Sequence, residues 1–277
     1  MPSDISKILI VSDMDGTFLP SSKIVSKRNA EAVQQFQNAG GSFTIATGRA
    51  IQAAQQYFDS VKVNFPMILC NGGLIYDTTD GSSLYDVFVP KNTREITKRI
   101  LEDNRNLGCE VLTLNTVYVP QMNETERMHN EICRLTPVEA DIDSIPDNWY
   151  KVLFADSNDN INKLTEYVST KNFVEVDFVR SSEHYYEILP QNISKGSALE
   201  KMRALCGIED YTIIAVGDYY NDIEMLRYAD IAVCPSNAEE AVKDICDIVL
   251  EHSCDEDAIC ELIKYIFEKT NKDFLEV

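Results

Sequence analysis

Short runs of branched apolar residues alternate with helix-type periods at both ends of the sequence, and this alternation most constrains the fold. In the first third, strands are predicted over Lys7–Ser12, Ser42–Ala46 and Met67–Cys70. Helices are predicted between them, over Asn29–Ala39 and Ala50–Phe58. Strands that alternate with helices imply βαβ units, in which the strands of one sheet run parallel. The predicted fold class is therefore α/β with a parallel sheet.

The middle of the sequence has a different texture. Ser83–Val89 alternates like a strand with one exposed face, and later strand-type pieces such as Lys151–Ala155 favour antiparallel pairs. The α/β alternation then returns, with a predicted strand over Thr212–Val216. A core split by an insertion explains this order. The predicted domains are an α/β core of residues 1–83 and 187–277, and an inserted α+β domain of residues 84–186.

The charge balance limits the kinds of partner. The chain has 25 Lys and Arg residues against 45 Asp and Glu residues, a net charge of −20. This excess argues against a nucleic-acid partner, because nucleic-acid affinity depends on cations that neutralise phosphates. A small anionic substrate is compatible with it where a cation inverts the local field. We also expect no membrane span, no signal peptide and a cytoplasmic protein with reduced cysteines.

The most informative segment is the apolar run Ile8–Val11, which ends in Ser-Asp13-Met-Asp15-Gly-Thr17. Open parallel sheets bind ligands at the carboxyl ends of their strands, which is where these two carboxylates lie. If the chain stays extended, Asp13 and Asp15 point the same way. The alternative is a strand that ends in an Asp-Gly turn, with Asp15 serving turn chemistry.

A second apolar run, Thr212–Val216, is followed by Gly217, Asp218, two tyrosines, Asn221 and Asp222. Asn221 or Asp222 could cap the next helix. That structural interpretation explains only one of the two, and it leaves Asp218 without a structural task.

Two further signals are weaker when each is taken alone. Thr47-Gly48-Arg49 joins a predicted strand to a helix, and the backbone N–H groups of a helix start suit a phosphate. The alternative is an ordinary turn closed by a hydroxyl. Lys195 precedes a predicted helix, where the helix dipole disfavours a cation. The alternative there is a solvated surface lysine.

The four segments reinforce one another, because three of them end strands of one predicted sheet and the fourth opens the first helix after the insertion. Carboxylates that converge there repel by about 4 kcal/mol per pair at ~4 Å and an effective dielectric constant near 20. A divalent cation relieves that repulsion, and Mg²⁺ is the hard cation that binds carboxylates together with a substrate phosphate. The constellation therefore predicts a Mg²⁺ site.

The chain contains, in this order, DxDGT, a strand-end threonine, a lysine and GDxxND. This succession resembles the four motifs of the haloacid-dehalogenase-like (HAD) phosphatases. The insertion, the sequence ATGR and the later Asn71-Gly72-Gly73 are similar to the Cof-type subfamily, which implies a Rossmann-like core and an inserted α/β cap. Two positions depart from the family pattern. Phe18 replaces a small or aliphatic residue, and Cys234-Pro-Ser-Asn237-Ala replaces Met-Gly-Asn-Ala.

The resemblance implies a role for each motif residue. Asp13 would be the nucleophile that forms an aspartyl-phosphate, and Asp15 would protonate the leaving oxygen and later activate water. Mg²⁺ would be held by Asp13, the backbone carbonyl of Asp15 and Asp218, with Asp222 nearby. The remaining motif positions would bind substrate or phosphate: Thr47, Gly48, Arg49, Asn71, Gly72, Lys195 and Asn221.

The expected function is a Mg²⁺-dependent phosphatase acting on a small phosphorylated metabolite, either a sugar phosphate or a cofactor phosphate. One alternative is a phosphosugar mutase-type transferase, which would pass the phosphate to a second sugar hydroxyl rather than to water. The other is a non-catalytic phosphate-binding regulatory protein, against which the intact Asp13, Asp15, Lys195 and Asp218 argue. The expected state is a monomer or a homodimer.

Overall fold

The computed structural model describes residues 4–270 and 273–275. The chain forms two compact units. Among the described residues, the core unit consists of residues 4–48, 57–85, 194–270 and 273–275, and the inserted unit consists of residues 49–56 and 86–193. The predicted cut at residue 186 differs from this division, because it falls inside a strand that pairs along its length within the inserted unit.

The strands and helices of the described residues are numbered in chain order. The strands are β1 (Ile8–Ser12), β2 (Ser42–Ile45), β3 (Met67–Leu69), β4 (Leu74–Tyr76), β5 (Ser83–Asp86), β6 (Gly108–Leu112), β7 (Val117–Gln121), β8 (Val138–Glu139), β9 (Lys151–Ala155), β10 (Val176–Arg180), β11 (Tyr185–Pro190), β12 (Thr212–Val216), β13 (Ile231–Cys234) and β14 (Ile248–Val249). The α-helices are α1 (Lys27–Asn38), α2 (Ile51–Ala54), α3 (Thr93–Asp103), α4 (Glu124–Ile132), α5 (Asn158–Ser169), α6 (Lys195–Leu205), α7 (Ile223–Tyr228), α8 (Glu240–Lys243) and α9 (Ala258–Lys269).

The core unit is built on a five-stranded parallel sheet in the order β14-β13-β12-β1-β2. All five residues of β1 are buried, which accounts for its unbroken run of branched apolar side chains. The strand order reverses at β1, since β2 lies on one side of it and β12 on the other. The carboxyl ends of β1 and β12 therefore flank the topological switch point, where open α/β sheets bind ligands.

Helix α6 packs on this sheet, with Leu199 and Met202 joining Leu9, Val11 and Ala215 in one buried cluster. Its start is fixed by a capping box between Ser194 and Ser197. The predicted third strand became β3, which pairs antiparallel with β4 rather than within the parallel sheet. A single bridge between Ala46 and Ile68 links it to the end of β2.

The inserted unit is built on a six-stranded sheet in the order β10-β11-β9-β6-β7-β8. Its strands pair antiparallel except for β7 and β8, which are parallel. Helices α3 and α5 cover one face, where Ile100 and Leu164 pack against Val111, Val152 and Ile188. Helix α4 contacts β6 and β9. The predicted α+β character of the insertion follows from this mainly antiparallel sheet.

None of the helices within the described residues combines the length and apolar character that crossing a bilayer requires. All eight cysteines belong to the described part of the chain, and none of them forms a disulfide there.

Candidate active site

The two carboxylate motifs follow neighbouring strands of the core sheet. Asp13 comes directly after β1, and Asp218 follows β12 after one glycine. The backbone N–H of Asp13 donates to Val216 O at 2.8 Å, which continues the β1–β12 pairing to the last residue of β12. Burial of both strands thus places Asp13 and Asp218 beside each other at the switch point.

A buried ion-pair cluster joins three of the predicted residues. Lys195, at the start of α6, donates from Nζ to Asp13 Oδ1 at 2.5 Å and to Asp222 Oδ1 at 2.6 Å. The side chains of Lys195, Asp13 and Asp222 are 1%, 8% and 0% exposed. The alternative of a solvated surface lysine does not fit this burial.

Burial and charge act in opposite directions on these groups. Burial raises the pKa of Asp13 well above its usual range, since Lys195 offsets only part of the combined effect of burial and the neighbouring Asp222 and Asp218. Burial lowers the pKa of Lys195, but the attraction of Asp13 and Asp222 outweighs it, so the net pKa is raised and the ammonium stays charged. One lysine therefore shares its charge between two buried acidic groups.

Asp218 and Asp222 have different surroundings. Thr17 Oγ1 donates to Asp218 Oδ1 at 2.6 Å, while burial, reinforced by the charge of Asp222, raises the pKa of Asp218 to about 6. Asp222 Oδ2 accepts from the backbone N–H groups of Asp218 and Tyr219 at 3.0 and 3.1 Å. Since its Oδ1 accepts from Lys195, both oxygens of Asp222 are engaged within the protein.

The donor set fits a hard divalent cation. Asp13, Asp218 and Asp222 each offer a carboxylate oxygen, and these three atoms lie within 4.8 Å of one another. Among the described residues, Asp13 Oδ2 and Asp218 Oδ2 have no hydrogen-bond donor. Gly16 borders this space, because a Cβ there would lie 2.4 Å from Asp218 Oδ2. Asp13 and Asp218 are thus better placed to bind a cation directly than Asp222, which organises the loop.

A second group of predicted residues is joined by hydrogen bonds next to β2. Thr47 follows β2 and is buried, and its backbone carbonyl accepts from the N–H of Asn71 at 3.1 Å. Asn71 Oδ1 accepts from Asn221 Nδ2 at 3.1 Å. A Cβ on Gly48 would lie 3.0 Å from that same Asn71 oxygen. The structure therefore brings Thr47, Gly48, Asn71 and Asn221 together.

Gly72 and Arg49 complete the set of residues predicted to bind phosphate. Gly72 adopts a φ of +105°, and a Cβ there would lie 2.2 Å from Ser194 O, so glycine lets the backbone approach the start of α6. Arg49 belongs to the inserted unit, where its Nη1 lies 3.4 Å from Ala53 O.

Three contacts at this site involve residues that were not predicted as site residues. Thr17 lies within DxDGT, and its hydroxyl could have been singled out from the motif. Lys23 donates to Asp15 Oδ1 at 2.7 Å, and no spacing rule in the sequence indicates this pair. Asn237 Nδ2 donates to Gly16 O at 2.8 Å. The segment Cys234–Ala238, which departs from the family pattern, therefore keeps an asparagine that holds the backbone next to Asp15. The other departure, Phe18, is accommodated in the core against Phe43.

Comparisons with known proteins agree with this arrangement. Residues 10–263 match the family model of the haloacid dehalogenase-like hydrolases. The chain is 26% identical over 269 residues to the 5-amino-6-(5-phospho-D-ribitylamino)uracil phosphatase YcsE of Bacillus subtilis (strain 168), with 95% of this chain and 96% of that protein covered. A haloacid dehalogenase-like hydrolase from Bacteroides thetaiotaomicron shares the fold, with a TM-score of 0.85 at 24% identity over 94% of this chain and 99% of that one.

A solved sugar phosphatase of HAD subclass IIB also shares the fold, with a TM-score of 0.77 at 18% identity over 93% of this chain and 98% of that one. The family resemblance read from the motifs is thereby confirmed. Because the family pattern runs through residues 10–263 and a phosphatase matches the chain over nearly its full length, the chain belongs to the haloacid dehalogenase-like hydrolases and is a phosphoric monoester hydrolase.

Proposed function

We propose that the chain hydrolyses a small phosphorylated metabolite in a Mg²⁺-dependent reaction that passes through a phosphorylated Asp13. The observation that carries this proposal is the buried Lys195, which bridges Asp13 and Asp222 beside Asp218. Burying a lysine and two acidic groups costs free energy that a purely structural ion pair seldom recovers. A site that must hold a phosphate dianion in a protein of net charge −20 requires such a cation.

In the first step, a carboxylate oxygen of Asp13 attacks phosphorus while the bond from phosphorus to the leaving oxygen breaks. Lys195 holds Asp13 Oδ1 and thereby orients the nucleophile. Asp15, two residues along the turn, gives its proton to the leaving oxygen. In the second step, Asp15 takes a proton from water as the water oxygen attacks phosphorus. The bond between phosphorus and Asp13 then breaks, which releases inorganic phosphate.

Mg²⁺ would be held by Asp13, Asp218 and the backbone carbonyl of Asp15, and when bound it supplies positive charge that stabilises the phosphoryl oxygens. Asp222 holds the Asp218 loop and Lys195 in place rather than acting as a direct ligand. Thr47, Gly48 and Asn221 would receive the phosphoryl oxygens, with Asn71 orienting the Asn221 amide. Phosphate-monoester hydrolysis needs accelerations of up to ~10²¹-fold, so positioning and charge must act together.

The substrate class is proposed from the relatives. YcsE is named for a phosphorylated ribitylaminouracil, and one structural neighbour is named a sugar phosphatase. Both names describe a phosphate on a polyhydroxylated carbon chain. We therefore place a sugar phosphate or a phosphorylated cofactor precursor first in a substrate screen.

The test measures phosphate release from sugar phosphates, nucleotides and cofactor phosphates, with and without Mg²⁺ after exhaustive chelation. We expect turnover to depend on added metal, and full turnover in verified metal-free protein would overturn the cation requirement. Asp13→Asn should show neither turnover nor labelled protein. Asp15→Asn should become labelled slowly from a substrate with a good leaving group and then stall. Incorporation of labelled phosphate by Asp13→Asn would show that the roles are wrong.

A further inference from the structure

A cation outside the four motifs contacts the predicted acid–base residue. Lys23 lies eight residues after Asp15, and its Nζ donates to Asp15 Oδ1 at 2.7 Å. Both side chains are partly exposed, at 37% and 36%. The mechanism described above gives Lys23 no task.

Several hydrogen bonds hold the loop that carries Lys23. Lys23 closes a turn by donating its N–H to Pro20 O at 2.9 Å, and its backbone has a φ of +56°, which is uncommon for a residue other than glycine. Both carboxylate oxygens of Asp255 hold Ser21, through its N–H at 2.7 Å and its hydroxyl at 2.9 Å. These contacts fix the position of the backbone from which the Lys23 side chain extends to Asp15.

Stability alone does not account for this arrangement. Exposed ion pairs contribute little to folding, because solvent screens them and long side chains lose conformational freedom. A left-handed backbone at a residue other than glycine costs free energy, and such strain is typical of functional sites. Lys7 and Asp210 form an ion pair of the same 2.7 Å length in the core unit, and Lys7 does not have a positive φ. The Lys23–Asp15 pair therefore calls for a functional explanation.

We propose that Lys23 is a positioning residue that holds the Asp15 carboxylate in the orientation required to take a proton from water. This inference rests on the proposed function, and specifically on its second step. An ammonium pairs with a carboxylate, and the second step is the one that Asp15 enters as a carboxylate. The hydrogen bond to Oδ1 restrains that oxygen, and with it the rotation of the Asp15 carboxylate, while water attacks phosphorus on Asp13 and the bond from phosphorus to Asp13 breaks.

The test uses Lys23→Met with 4-nitrophenyl phosphate, whose good leaving group needs little help from an acid in the first step. We expect kcat to fall about tenfold, which is part of the ~10²–10⁴ that a positioned proton acceptor contributes. Since kcat/KM reports only events up to phosphorylation of Asp13, it should change less than about twofold. Acid-quenched samples should hold more phosphorylated protein than wild type, and Lys23→Arg should restore most of kcat.

Lys7→Met is the matched control, because it removes an ion pair of equal length from the same unit and should change neither constant. An unchanged kcat in Lys23→Met, or equal losses in kcat and kcat/KM without accumulated phosphorylated protein, would overturn the inference. The proposed function fails in a different way. If even Asp15→Asn never carries phosphate on Asp13, the covalent route is wrong and the role of Lys23 is wrong with it.

Discussion

A buried carboxyl pair in the inserted unit makes a prediction about stability and pH. Asn130 Nδ2 donates to Glu126 Oε1 at 2.7 Å, and His129 Nε2 lies 3.5 Å from Glu110 Oε1. Within the described residues, Glu110 Oε2 and Glu126 Oε2 are buried without a hydrogen-bond partner. Burial, followed by the charge of Glu110, raises the pKa of Glu126 to about 9. One proton shared by the two carboxyl groups would satisfy both oxygens.

The sign and size of the effect follow from linkage. The pKa of Glu126 rises from an ordinary value of 4.5 in the unfolded chain to about 9 in the fold, so the folded state favours the protonated form. Its stabilising contribution is complete below pH 4.5 and is lost as the pH rises towards 9. At about 1.4 kcal/mol per pH unit, the loss is about 3 kcal/mol at pH 7.

Glu126→Gln should remove this loss, because the amide is neutral at every pH and can donate to Glu110 while accepting from Asn130. We expect the variant to match wild type near pH 5 and to exceed its free energy of unfolding by up to about 3 kcal/mol at pH 7. The gain should grow further towards pH 9. The raised pKa of His129 also makes stability fall with increasing pH, but that residue is present in both proteins.

Trp149 provides the assay, because it is the single tryptophan of the chain and is buried in the core of the inserted unit. Its fluorescence during urea denaturation, recorded between about pH 5 and pH 9, follows the unit that holds Glu126. Glu131→Gln is the control, since Glu131 is an exposed residue of the same helix. A difference between Glu126→Gln and wild type that stays constant with pH would refute the reasoning.

Three further predictions concern the core unit. Mg²⁺ at ~100 times its Kd should stabilise wild type by about 2.7 kcal/mol, and Asp218→Asn should lose most of that thermal shift; equal shifts in both proteins would contradict the cation assignment. Gly16 has a φ of +85°, and a Cβ there would lie 2.4 Å from Asp218 Oδ2, so Gly16→Ala should destabilise the fold by about 1–3 kcal/mol and weaken the Mg²⁺ response in thermal melting. An unchanged Mg²⁺ response would mean that the loop adjusts. Lys195→Met leaves Asp13 and Asp222 without their cation, so it should abolish turnover and lower the free energy of unfolding by about 3–5 kcal/mol; a folded variant with wild-type turnover would remove Lys195 from the mechanism.

Much of the site was predictable from local sequence. Unbroken branched runs define β1 and β12, and a carboxylate that follows such a run must lie at a sheet edge. The order of the motifs along the chain was sufficient to indicate the family. Helix α9 has apolar residues at Ile259, Leu262, Ile263 and Ile266, a helical period that was readable but was not predicted. Such helices and strands can be predicted from short-range periodicity, because the residues that form their buried face recur at a regular spacing within a few positions.

The tertiary structure decided which of these residues meet. Thr17 contacts Asp218, which is 201 residues away in the sequence, and Lys195 contacts Asp13, which is 182 residues away. No local sequence pattern indicates either contact. Only the structure shows that both oxygens of Asp222 are already engaged. The predicted domain boundary at residue 186 cut through β11 because a sequence pattern does not reveal that this strand pairs with β9 and β10. Strand order and side-chain contacts arise from packing between segments that are far apart in the sequence. The composition of one segment shows only whether that segment is buried, and does not show which segments it packs against.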